Sequence, residues 1–140
     1  CDREIISYIS STKGIDGRAI RDLILESMEY RFGTIDSLAK PIQWLSDNGP
    51  CYTARETVAF ARKLGFDVRT TPAYSPESNG MAEAFVKTFK RDYVAFSDPF
   101  DALTLMRKLP DWFNDYNEHA PHKGLNMMAP RQFIKRALAG

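Results

Sequence analysis

The chain has 140 residues, of which 44% are hydrophobic, 12% aromatic and 26% charged; that balance excludes a disordered or fibrous chain and suits one globular domain with a core of its own. A formal net charge of +1 gives no global electrostatic case for a nucleic-acid partner, so any such case must come from local arrangement. No apolar run is long enough to span a bilayer, and no segment reads as a signal peptide.

Cys1 and Cys51 have neither metal-ligand spacing nor a disulfide framework, so they read as reduced thiols in a cytoplasmic protein. The first residue is Cys1 rather than Met, which leads us to expect a fragment or a processed chain.

Residues 4–10 (EIISYIS) are short, β-branched and aromatic, and predict a strand. A helix is predicted over residues 17–32. Asp16 is its N-cap, Ile20, Leu23, Ile24 and Met28 form its buried stripe, and Gly33 stops it. Residues 41–46 (PIQWLS) predict a buried strand that runs into the turn signal Asp47-Asn48-Gly49-Pro50.

Thr53 and Glu56 have capping-box spacing and open a second helix ending near Gly65. Residues 66–70 (FDVRT) predict another strand. A loop rich in Pro, Ser, Asn and Gly follows over residues 72–80, and then a helix over about 81–93. The C-terminal stretch is helical from Asp101 and ends near Asn117, with Pro110 interrupting or kinking it, and Pro130 opens a last helix. Alternating strands and helices through the first two-thirds argue a layered α/β domain.

Two carboxylates stand out. Asp47 follows a predicted strand, and ligands of α/β sheets bind at the carboxyl ends of strands. The same residue before Asn-Gly also suits a plain Asx-turn. Glu83 falls in the first turn of the third helix, where an acid complements the helix dipole whatever else it does. Glu83, Lys87 and Lys90 share one helical face, while Ala82, Phe85, Phe89 and Tyr93 lie on a largely separate apolar side. A carboxylate followed by two ammonium groups can hold Mg²⁺ beside phosphate oxygens, or can be a solvated Glu–Lys pair.

The flanks WLSDNGPCYTA around Asp47 and SPESNGMAEAFVKTFKRDY around Glu83, with residues 48–82 between the two acids, carry a resemblance. They resemble the second acid and the final Glu of the integrase-like DDE transposases of bacterial insertion sequences, relatives of retroviral integrases. Lys90, seven positions after the Glu, fits the same pattern. So does YNEHAPHKGLNMMAP, which contains Tyr116, Asn117 and His122.

The resemblance implies an RNase H-like α/β fold over the whole chain, with a helical extension from about residue 100. It implies DNA transposition by metal-dependent phosphodiester cleavage and strand transfer. Asp47 and Glu83 would be metal ligands for two Mg²⁺ or Mn²⁺ ions, which in such sites stand roughly 3.5–4 Å apart. Water would be the nucleophile in nicking and a DNA 3′-hydroxyl in joining. Lys87 and Lys90 would meet the DNA backbone, DNA and further copies of the chain would be the partners, and the setting would be cytoplasmic and nucleoid-associated.

Asn48 contacts DNA or closes its turn. Pro76 and Gly80 belong to a loop that either moves over DNA or merely connects. His122 is structural or touches the DNA backbone, with Ala120 standing where the family often has a basic residue. The family's first acid has no match here, because CDREIISY resembles a later turn and strand and Asp2 stands too close to Asp47. The first strands of the fold are therefore expected upstream of Cys1, and the chain alone is expected to be inactive. A nuclease that cleaves without joining, and a catalytically incomplete remnant that binds DNA or transposase subunits, are the alternative readings.

Overall fold

A computed structural model of the chain describes residues 2–72, 80–96 and 101–140. They form two compact units, one of residues 7–96 and one that joins residues 1–6 to 97–140.

The first unit is built on a helix, two strands and a helical crossover. Helix α1 spans Gly17–Phe32. The Asp16 carboxylate caps it by accepting from Ala19 N at 2.9 Å, and Gly33 ends it with φ 66°, a left-handed conformation that costs glycine little. Strand β1 (Ile42–Ser46) and strand β2 (Phe66–Thr70) pair in parallel, with Ile42 opposite Phe66 and Ser46 opposite Thr70.

Between the strands lie the short helix α2 (Pro50–Thr53) and helix α3 (Arg55–Lys63). Gly65, at φ 98°, turns α3 into β2, and a Cβ there would approach the Leu38 side chain to 3.2 Å. The core is formed by Ile20, Ile24 and Met28 of α1 with Ala61 and Leu64 at the end of α3; Trp44, Tyr52, Phe60, Phe66 and Val68 pack around it. Helix α4 (Gly80–Phe89) then runs into a π-helical turn (Lys90–Val94); the Phe89 and Tyr93 rings stack at 5.0 Å, and Phe85 lies tilted against Phe89 at 5.7 Å.

The second unit contains helix α5 (Ala102–His119), a 3₁₀ turn (Lys123–Leu125) and helix α6 (Pro130–Ala139) packed on α5. Asp101 caps α5 through Thr104 N at 2.8 Å. Pro130 opens α6, and Gln132 Oε1 accepts from Ala129 N at 3.1 Å, one half of a capping box. No helix of the described residues is long and apolar enough to cross a membrane.

Four expectations are corrected. Residues 4–10 form no strand, because no strand of the described residues supplies ladder bonds to them; the Asn117 side chain bonds Ile5 instead. β1 is half-buried, not buried: its side chains alternate, and Leu45 is 58% exposed. Thr53 and Glu56 form no capping box. Pro50 starts a separate turn of helix, the Thr53 hydroxyl donates back to Gly49 O at 3.2 Å, and Ala54 breaks the path before α3. Pro110 does not interrupt α5, which runs through it and ends at His119, near Asn117 as expected.

Candidate functional site

Asp47 stands just beyond the carboxyl end of β1, with its side chain exposed. Its Oδ1 accepts from Gly49 N at 2.8 Å, so the Asx-turn forms. Gly49 gives the carboxylate room, since a Cβ at that position would lie 2.9 Å from Asp47 Oδ1. One carboxylate oxygen thus fixes the turn.

Asn48 faces the other way. Its Nδ2 donates to Thr71 O at 2.8 Å, and Thr71 N donates to Ser46 O at 2.9 Å. These two bonds tie the carboxyl ends of both strands together, which holds Asp47 at the sheet margin. The turn's charge reaches the neighbouring phenol: Tyr52 has its pKa raised, first by burial, then by Cys51 and Asp47.

Glu83 lies in the first turn of α4 and is exposed. Among the described residues it lines a hollow of about 460 Å³ with Ala82, Val86, Lys87 and Lys90. Helical spacing puts these side chains on one face. Lys90 falls where the backbone changes from α to π, with Ala95 N bonded to Lys90 O at 2.8 Å. The hollow therefore brings Glu83, Lys87 and Lys90 together. Asp47 is not among its described lining residues, and no three acidic, His or Cys side chains of the described residues gather as a metal cluster. Gly80 is the first residue of α4, whereas Pro76 lies outside the described residues.

Tyr116, Asn117 and His122 belong to the second unit. Tyr116 and Asn117 are buried on α5, and the Tyr116 ring meets His122 edge-on at 5.0 Å. His122 bridges to Met128 through its backbone N–H at 3.1 Å, and Leu125 and Ala129 are buried beside the same loop. Burial, with a contribution from Arg3, lowers the His122 pKa and favours neutral imidazole. Sequence reasoning missed Arg131, whose guanidinium bonds Glu4 Oε1 at 3.2 Å, Glu118 Oε1 at 2.8 Å and Asn114 Oδ1 at 2.9 Å. Asn114 and Glu118 lie one turn apart on α5 and Glu4 near the start of the chain, so no local pattern marks the residue.

Residues 64–130 match the family of the integrase core domain. Over 136 residues, 97% of the chain, the sequence is 43% identical to the InsD protein of insertion element IS2E from Escherichia coli K12 and to the InsD transposase of IS2A/D/F/H/I/K from Escherichia coli. The chain spans 62% of the first relative's length and 45% of the second's.

Among solved structures, the catalytic core domain of BIV integrase superposes with a TM-score of 0.61 over 89% of this chain and 74% of that one. At 21% identity, the likeness concerns the fold. By sequence the chain is thus similar to the InsD transposases and, over residues 64–130, to the integrase core domain, and its α/β fold resembles the RNase H-like catalytic core of a retroviral integrase.

Proposed function

We propose that the chain is part of a transposase that cuts and joins DNA with divalent metal, and that Asp47 and Glu83 are two of its metal-holding carboxylates. The observation that carries this reading is the 43% identity to InsD proteins along nearly the whole chain, in a sequence whose strand-end Asp and helix-borne Glu-Lys-Lys face keep the expected order. The helical extension from about residue 100, with Tyr116, Asn117 and His122, acts as a support in this reading.

The donor chemistry fits a hard cation. Both acids are exposed oxygen donors, and the turn bond to Gly49 leaves Asp47 Oδ2 for a ligand. Mg²⁺ or Mn²⁺ held by these carboxylates would supply Lewis acidity for phosphodiester chemistry.

The chain's own groups do the rest. Asp47 presents its carboxylate from a turn held by two strand ends. Glu83 presents its carboxylate from the first turn of α4. Lys87 and Lys90 hold non-bridging phosphate oxygens in the adjoining hollow and so position the DNA backbone without reading bases. In nicking, water oxygen bonds to phosphorus and the 3′ oxygen leaves as a hydroxyl; in joining, that hydroxyl oxygen bonds to a phosphorus of the second DNA and displaces its 3′ oxygen. In this reading the chain works as a homo-oligomer on nucleoid DNA.

Titration calorimetry with Mn²⁺ tests the reading. The parent chain should bind more tightly than Asp47→Asn or Glu83→Gln, with circular dichroism unchanged. Equal heats for all three proteins would sink it.

A further inference from the structure

Arg3 adopts φ 60°, a left-handed backbone that a non-glycine residue takes at a cost. Its guanidinium lies against Gly124 in the 3₁₀ turn: a Cβ at Gly124 would be 2.9 Å from Nη2, 3.4 Å from Cζ and 3.6 Å from Nε. Gly124 itself is not in a left-handed conformation, so glycine serves there by leaving space for the guanidinium plane.

The charge is felt by the buried rings nearby. Burial raises the Tyr116 phenol and Arg3 opposes it; burial lowers the His122 imidazole and Arg3 adds to it. No carboxylate of the described residues pairs with Arg3. Asp2 Oδ1 accepts from Glu4 N at 3.2 Å, and the Glu4 carboxylate is engaged by Arg131. Lys123, next to Gly124, is exposed and has no ion pair among the described residues either. A planar cation has been given a seat, and the described residues offer it no anion.

We propose that Arg3, seated on Gly124 with Lys123 beside it in the chain, takes one backbone phosphate of duplex DNA. The inference rests on the DNA-acting reading above and adds a contact in the other unit. A guanidinium fork suits phosphate oxygens better than an ammonium does. A phosphate contact fixes position and carries no sequence preference.

The test is duplex binding by anisotropy, on two oligonucleotides of unrelated sequence, across a series of salt concentrations. Arg3→Ala should weaken both complexes by roughly three- to tenfold and make the slope of log K against log salt shallower by about 0.9, the contribution of one phosphate. Gly124→Ala keeps the charge but displaces the guanidinium, and should move both readouts in the same direction. Arg3→Lys should fall between parent and Arg3→Ala.

Thermal melts identify any variant that fails to fold, in which case the remaining substitutions decide. Parent-like affinity and salt slope in Arg3→Ala and Gly124→Ala would overturn this contact while leaving the DNA reading intact. Absence of duplex binding by the parent chain would overturn both.

Discussion

The side-chain amide of Asn117 makes both hydrogen bonds that a neighbouring strand would have made to Ile5: its Oδ1 accepts from Ile5 N at 2.8 Å and its Nδ2 donates to Ile5 O at 2.9 Å. Asn117 is 3% exposed, so the amide exchanges these bonds with little competition from water. Asn117 is thus a clamp that fastens Ile5 to α5 within one unit. Asn117→Leu should remove both bonds, strand the Ile5 backbone groups and destabilise the unit by about 1–3 kcal/mol, read as a lower urea midpoint.

Arg131 makes a comparable hub from charges. The Glu4 side chain it binds is 4% exposed, so truncating the guanidinium leaves a buried carboxylate without its cation. Arg131→Ala should cost about 2–4 kcal/mol, and adding Glu4→Gln should recover part of that loss. Chemical denaturation of the two single variants and the double variant measures the coupling.

Acid should weaken the same unit for two reasons with one sign. The Arg131 hydrogen bond holds the Glu118 carboxyl below its ordinary range, so its contribution is complete above the unfolded value of 4.5 and is lost as pH falls toward the folded one. His122 is lowered by burial and by Arg3. The unfolded chain therefore protonates it first, and stability falls as pH drops below 6.5 until the folded imidazole titrates as well. Melting temperatures should decline between pH 7 and 5. His122→Gln should flatten that decline, and an unchanged slope would dismiss the histidine as its source.

Gly49→Ala tests whether the Asp47 turn is built for its carboxylate. The added Cβ would meet Oδ1 at 2.9 Å and push the side chain out of its turn. Mn²⁺ affinity should fall several-fold while melting changes little. If affinity is unchanged, the turn serves only the local fold.

The sequence made the periodic and capped elements legible because their causes are local. Asp16 and Gly33 bound α1 as cap and stop, and residues 66–70 alternate as a strand does. The Glu83, Lys87 and Lys90 face was readable because three residues on one helix need only the helical repeat to meet. What failed depended on distant partners. Residues 4–10 have strand-like composition, but a strand requires a neighbour. Thr53 has the right spacing to Glu56, but Pro50 had already captured the preceding turn. The Arg131–Glu4 pair and the Arg3–Gly124 seat join residues more than a hundred positions apart and leave no periodic trace.

The parallel pairing of β1 and β2 has a kinetic consequence. Antiparallel neighbours can zip from a hairpin, but here residues 47–65 must coil into α2 and α3 and reach α1 before Ile42 can meet Phe66. The sheet that carries Asp47 should therefore assemble late, on a platform of helices already docked. Stopped-flow refolding of Ala61→Gly should show slower formation of that platform, with Trp44 fluorescence reporting when the strands join.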